Sequence, residues 1–327
     1  MNNRLTVRGM TECAIMAGLA FILMMIGNLP VIGVFVLLFC SVPITIATIR
    51  QGSFAGGLAS VLTTILLALL LGPLSAISCG LQYVLLGWVM GYMLHHHKSG
   101  SKTIHACVIT AVCSALAMLL INLALMGFTP EGIASYLDSY RADMLEMYES
   151  TGMTDILQQQ GLTQNQVTEM LMQTMDMALR LMPAMMIISR SIMAVITYVL
   201  TIQILKRLKI RIPRIQNFQK WVLPGSFVWV LIAVWALWLA GDYINISWIN
   251  ILALNFLIVC GALLFLDGLA LGSYWFQFSQ MSTAMKVLGV VFVLFFFTGF
   301  LIACVLLGLA DLLFDFRKLR VDNKKVK

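Results

Sequence analysis

Nine long apolar runs fill this 327-residue chain, and they settle its solvent before any motif is read. Stretches such as Cys13–Gly27, Val31–Ile49, Ala55–Leu71 and Val287–Leu309 hold no charged residue over most of a bilayer crossing. A helix needs roughly 20 apolar residues to span about 30 Å of hydrocarbon. A soluble protein of this length cannot hide so many helices that are apolar all round in one core. The composition agrees, with 61% hydrophobic and 11% charged residues. The expected fold class is therefore all-α: a polytopic membrane helical bundle of about eight or nine transmembrane helices.

The charge is placed as a membrane protein would place it. Lys and Arg number 21 against 14 Asp and Glu, net +7. Lys206, Arg207, Lys209, Arg211, Arg214 and Lys220 crowd one short connector with no acid among them, and Arg4, Arg8, Arg50, Lys98 and Lys102 sit at span ends. Positive loops retained in the cytoplasm explain this better than a nucleic-acid surface, so membrane lipid is the expected partner and nucleic acid is not. Seven cysteines, at positions 13, 40, 79, 107, 113, 260 and 304, all fall within apolar runs with no Cys-x-x-Cys pair. They read as small apolar fillers rather than a disulfide framework or a metal site. Two arginines followed by an apolar run resemble a signal peptide, but further spans follow at once, so the expectation is an uncleaved first helix.

Along the chain, breakers separate the runs: Asn28-Leu29-Pro30, Arg50-Gln51-Gly52, Gly72-Pro73 and the polar loop His95–Lys102. Spans are expected at about Gly9–Gly27, Val31–Ile49, Ser53–Leu71, Leu74–Leu94 and Thr103–Met126, then Met177–Leu205, Trp221–Ala240, Trp248–Tyr274 and Val287–Phe314. Pro183 should kink the sixth. Residues 127–176 change character, with eight acids (Glu131, Asp138, Asp143, Glu146, Glu149, Asp155, Glu169, Asp176) against the single base Arg141. Thr129-Pro130-Glu131 has the order of a helix start. Tyr136, Tyr140, Met144 and Tyr148 recur every four residues as one stripe. Thr163-Gln164-Asn165-Gln166 fits a capping box, with Val167, Met170, Leu171 and Met175 on the apolar face behind it. Two surface helices lying over the outer side of the bundle are expected here. The organisation is then a core over 1–207 carrying the 127–176 insertion, a basic connector over 208–220, C-terminal spans over 221–316 and a basic tail over 317–327. Nine full crossings would put that tail outside. Either the last apolar stretch forms a re-entrant pair of short helices or a C-terminal segment fails to cross.

Small residues four apart recur at Ala14 and Gly18, Gly52 and Gly56, Gly87 and Gly91, and Gly268 and Gly272. This spacing lets helix backbones approach closely in lipid, where no hydrophobic force drives association. Intramembrane charge is costly and needs a partner. Arg190, midway along the sixth span, calls for an acid, a carbonyl cluster or an anionic ligand. A structural pair with Asp267 is one reading; contact with a substrate carboxylate or phosphate is the other. Arg180 and Asp176 lie near the outer boundary. Asn28, Asn122, Gln82, Tyr83, Trp88 and Asn255 add polar groups inside or at the ends of spans, as interhelical hydrogen bonds or, if they converge, as one small-solute pocket. His95-His96-His97 reads as a polar inner loop, not a metal site. There is no P-loop, no His-Glu-x-x-His and no nucleophile elbow. No enzymatic activity and no cofactor is expected.

Two family resemblances rest on particular stretches. Thr-Glu-Cys-Ala-Ile-Met-Ala-Gly-Leu-Ala, the break after it, Val-Pro-Ile-Thr-Ile-Ala-Thr-Ile-Arg-Gln-Gly and Leu-Gly-Pro make the first half similar to the substrate-binding S components of energy-coupling factor transporters. That resemblance implies a six-helix core that takes up a micronutrient with a transmembrane coupling subunit and two ATPases. It also implies a docking surface on the first helix, here Ala14 and Gly18. Nearly end to end, the chain resembles the YybS-type family of uncharacterised bacterial membrane proteins. This likeness is carried by Arg50-Gln51-Gly52, Leu181-Met182-Pro183-Ala184, Asp267-Gly268-Leu269-Ala270 and the ending Leu307 to Lys318. The resemblances together with the polar positions above give the leading expectation: a multi-pass protein of the bacterial cytoplasmic membrane that binds a small solute from outside through Asn28, Asn122, Arg180 and Arg190, under an acidic lid. The alternative is a non-transporting scaffold or regulator with the same helices. A transporter should show a polar-lined cavity among the first six spans; a scaffold should show those positions packed shut.

Overall fold

The computed structural model describes residues 7–29, 32–125, 129–152, 163–210, 212, 217–244, 246–278 and 295–317. Arg4, Pro30, Arg211, Arg214, Asp155, the start of the ninth run, and the side chains of Tyr136 and Glu149 lie outside the described residues. Every regular element among them is a helix, and eight helices are long and apolar enough to cross a membrane. The chain divides into two compact units. Unit 1 joins Met1–Met177 to Ser189–Ile215, and unit 2 joins Ala178–Ile188 to Gln216–Lys327.

Unit 1 begins with α1 (Val7–Gly27), which buries Cys13, Ala17, Ala20 and Met24 along one stripe. The second apolar run is broken rather than one long span, into α2 (Ile32–Leu37) and α3 (Val42–Gln51). Pro43 stands in the first turn of α3, where its missing N–H costs nothing, and it bars the helix from extending back. The broken segment still returns the whole way, because Arg50 reaches Glu12 on α1 at 2.9 Å and Gln51 reaches the same carboxylate at 2.6 Å.

Helix α3 is the centre of unit 1, with every residue from Val42 to Thr48 buried. Around it stand α1, α4 (Ser53–Leu71) and α6 (Leu85–His95). Gly52, at φ 92°, turns the chain from α3 into α4 within one residue, a conformation open to glycine and few others. Gly56 of α4 and Gly87 and Gly91 of α6 each lie against α3 so closely that a Cβ would strike Thr48, Ser41 or Ile44. Hydroxyls complete this packing: Thr45 donates to the Gly87 carbonyl at 3.0 Å and Ser41 to the Tyr83 carbonyl at 2.8 Å. Small residues and interhelical hydrogen bonds thus hold helices that lipid would not squeeze together. Between α4 and α6 lie α5 (Pro73–Cys79) and a π-helical turn, Gly80–Val84. Helix α7 (Gly100–Leu125) comes next.

The acidic insertion forms α8 (Pro130–Ser150), where the Thr129 hydroxyl accepts from the Gly132 N–H at 3.0 Å. The expected capping box is present: Thr163 and Gln166 open α9 (Gln164–Arg207). The expected second surface helix is, however, no separate element. Nothing interrupts the chain after Gln166, so the helix runs on through the sixth span for 44 residues. At 1.5 Å per residue that is about 66 Å, roughly twice the hydrocarbon thickness, so its first turns stand clear of the lipid. There Val167, Leu171 and Met175 pack on Met144, Leu145 and Tyr148 of α8. Arg141 bridges Asp138 at 2.9 Å and Asp176 at 2.8 Å. Hydrogen bonds to Asp176 and Asp138 raise its pKa, so its charge is constant across the physiological range.

Unit 2 contains α10 (Phe227–Ile244), α11 (Ser247–Phe278) and α12 (Phe297–Phe314). A Cβ on Gly268 would strike the Cys304 backbone, and one on Gly308 would strike the Leu264 backbone, whereas Gly272 meets nothing. The close approach therefore joins Gly268 of α11 to Gly308 of α12, not Gly268 to Gly272. Phe265 stacks near Phe300 at 6.4 Å, and Trp275 near Phe316 at 6.2 Å. These two pairs fix α12 as running in the same direction as α11. Gln219 donates to the Ser273 carbonyl at 3.4 Å, and Arg317 donates to the Gln219 and Trp221 carbonyls at 3.0 and 2.9 Å. The end of α12 thus meets the same end of unit 2 as the basic connector. Were the connector retained inside by its charge, the end of α12 would lie on the same side.

Candidate functional site

The residues with the strongest claim to function meet in unit 1, opposite the π-helical turn. One extra residue in a helical turn shifts the register of the residues after it, and such turns are common at functional sites. Here Gly80 leaves room for the Thr64 side chain, and the turn carries Gln82 and Tyr83. Gln82 donates to the Ser78 hydroxyl at 2.8 Å. Across from them, α9 supplies Arg190, Met193, Ala194 and Thr197, with Leu86 of α6 and Ala111 of α7 closing the sides. The enclosed space is about 10 Å³, room for roughly one water molecule. Arg190 and Tyr83 share the lining of this space. No carboxylate lies within ion-pair distance of Arg190 among the described residues.

The other expected residues go elsewhere. Asn28 donates to the Met24 carbonyl at 2.7 Å, one turn back on α1, and does not line the Arg190 cavity. Asn122 sits half-buried on α7 and does not line the Arg190 cavity. Ala14 and Gly18 share the outward face of α1; Ala14 is exposed, and a Cβ on Gly18 would meet nothing within 4 Å. Ala17 and Ala20 pack inward instead.

Arg180 belongs to unit 2, where it lines a pocket of about 270 Å³ with Trp238, Asn250, Ile251 and Leu254. Its backbone is held by Asn255 of α11. Pro183 disturbs the helical hydrogen-bonding of α9. The Asn255 amide sits in that break, accepting from the Ala184 N–H at 2.8 Å and donating to the Arg180 carbonyl at 2.7 Å. Asn255 thus clamps the helix backbone beside Pro183 and lines neither pocket.

Asp267, one expected partner for Arg190, has another cation beside it. The guanidinium beside Asp267 is that of Arg317, at 2.6 Å, and the same group reaches Asp311 at 2.7 Å. All three side chains are fully buried. Arg317, expected as the first residue of a solvated tail, instead turns back behind the left-handed Asp315 that ends α12. Sequence reasoning missed it because an arginine three residues past an apolar run looks like any inner-face charge. The one available signal was the pair of acids, Asp267 and Asp311, within adjoining spans.

No curated protein matches this chain, and no solved structure does. A family described as predicted membrane protein (DUF2232) matches residues 18–312, which takes in both units and nearly every helix above. The chain belongs to that family of multi-pass membrane proteins.

Proposed function

We propose that this protein binds a small anionic solute within unit 1 and moves it across the bacterial cytoplasmic membrane, with Arg190 as the anion's counter-charge. The observation that carries this reading is a mid-span arginine that lines this small space beside Tyr83, with no carboxylate in ion-pair distance among the described residues. A guanidinium kept in hydrocarbon costs at least about 2.5 kcal/mol, and a solute carboxylate would offset that cost with two parallel hydrogen bonds. Gln82 and Thr197 would serve a hydroxyl or amide on the same solute. The space is water-sized in this structure, so on this reading Tyr83 and Met193 change rotamer to admit the solute; a scaffold would keep these positions packed shut. Ala14 and Gly18, on the outward face of α1, are suited to dock a transmembrane coupling subunit with ATPases.

The test is equilibrium binding of a panel of small carboxylates to the purified protein in nanodiscs. Arg190→Gln should weaken the bound member by roughly 10- to 150-fold, the loss of one charge-assisted contact of about 1.5–3 kcal/mol. Tyr83→Phe should weaken it about fivefold. Binding unchanged in Arg190→Gln would overturn the proposal. Retention of both uptake and partner co-purification in Ala14→Leu with Gly18→Leu would dispose of the docking role.

A further inference from the structure

The geometry points to a second binding site, independent of the Arg190 cavity: the pocket of unit 2 beside Arg180 holds the phosphate of an anionic membrane lipid. Its depth favours a headgroup. Arg180 lies one turn after Asp176, where α9 passes from the acidic hairpin into its apolar span. Asn250 lies in the first turn of α11, and Trp238 is two turns before the end of α10. At about 5.4 Å per turn, these positions sit at the outer boundary of the hydrocarbon. Trp235 and Trp248 are exposed nearby in sequence, as indoles at an interface are.

The chemistry of the walls is divided in the same way as the ligand. Arg180 is exposed, and no carboxylate lies within ion-pair distance of it among the described residues; Asp176, the nearest acid along α9, is taken by Arg141. A guanidinium fork matches two phosphate oxygens. Trp238 and Asn250 add an indole and an amide beside it, while the floor, Ile251 and Leu254, is wholly apolar. A soluble phosphate would gain nothing from that floor; an acyl chain would. One cation suits a phosphodiester of single charge better than a doubly charged monoester. The site is also built rather than incidental. Asn255, one turn below Ile251 on α11, holds the Arg180 carbonyl at 2.7 Å and so fixes the backbone that carries the guanidinium.

The experiment is native mass spectrometry of the full-length protein in detergent, titrated with phosphatidylglycerol, with diacylglycerol of the same chains, and with glycerol 3-phosphate. Phosphatidylglycerol should bind at least tenfold more tightly to the wild type than to Arg180→Gln. Leu254→Trp, which fills the pocket and leaves the arginine in place, should lose binding to the same degree. Arg190→Gln should bind the lipid as the wild type does, which separates this site from the solute site. Equal binding of diacylglycerol would show chains adhering without a phosphate contact and would overturn the proposal. Glycerol 3-phosphate binding as tightly as the lipid would overturn it in favour of a free phosphate. Unaltered lipid binding in both Arg180→Gln and Leu254→Trp would end it outright.

Discussion

Replacing Arg317 by methionine tests how unit 2 is closed. Its Nη2 donates to Asp267 at 2.6 Å and Asp311 at 2.7 Å, while Nη1 donates to the Gln219 and Trp221 carbonyls at 3.0 and 2.9 Å. Methionine fills similar space and supplies none of these donors, leaving two buried carboxylates without the guanidinium. Removing one partner of a buried ion pair costs about 3–5 kcal/mol. The lost carbonyl contacts belong to the same group and do not add in full. For a unit of roughly a hundred residues, each kcal/mol moves Tm by about 4 °C, so the expected fall is about 12–20 °C. Intrinsic fluorescence during thermal unfolding in detergent is the assay, since Trp221 supplies an accepting carbonyl and Trp275 packs near Phe316. Lys206→Met, at an exposed position, is the control. Combining Arg317→Met with Asp267→Asn and Asp311→Asn should recover most of the loss, because the two buried carboxylate charges go with it. An Arg317→Met protein that melts within about 2 °C of the wild type would refute the reasoning, as would a triple variant no better than the single one.

Other perturbations separate neighbouring claims. Asn255→Leu keeps the side-chain volume but abandons the break at Pro183, and should destabilise by about 2–4 kcal/mol in denaturant unfolding; adding Pro183→Ala should cut that cost by half or more, because an unbroken helix can satisfy its own backbone. Gly268→Ala should lower Tm through a clash with the Cys304 backbone, at about 1–3 kcal/mol. Gly272→Ala, with open space around it, should be neutral or stabilising by up to about 1 kcal/mol from helix propensity. Arg141→Gln on the exposed hairpin should change global stability by less than about 1 kcal/mol, while hydrogen exchange over 130–150 should quicken.

Much of the fold could be read from the chain because lipid imposes simple rules. The apolar runs, the capping box at Thr163 and the acidic hairpin each depend on local composition or on a few neighbouring side chains. What the chain concealed were partners distant in sequence. Spacing along one helix is visible and pairs Gly268 with Gly272, whereas Gly308, its true neighbour, lies in another helix. Asn255 reads as one polar residue among several, since only the turn of α9 around Pro183, lying beside α11, gives its amide two backbone groups to satisfy. Arg190 stands out because charge in a span is conspicuous. Its surroundings do not: Thr197 looks like an ordinary helical threonine, and a π-helical turn leaves no composition signal. The break between α2 and α3 is likewise hidden in an uninterrupted apolar run, although Pro43 is there to suggest it.

One orientation in lipid is expected: amino end, basic connector and the end of α12 inside, acidic hairpin outside. Cysteines placed singly at Glu146, Lys206 and Phe316, in a protein carrying Cys113→Ala, test it with a membrane-impermeant maleimide on intact cells. The account requires label at position 146 in intact cells, and at 206 and 316 only after permeabilisation. Label at 206 or 316 in intact cells, or protection at 146, would contradict it.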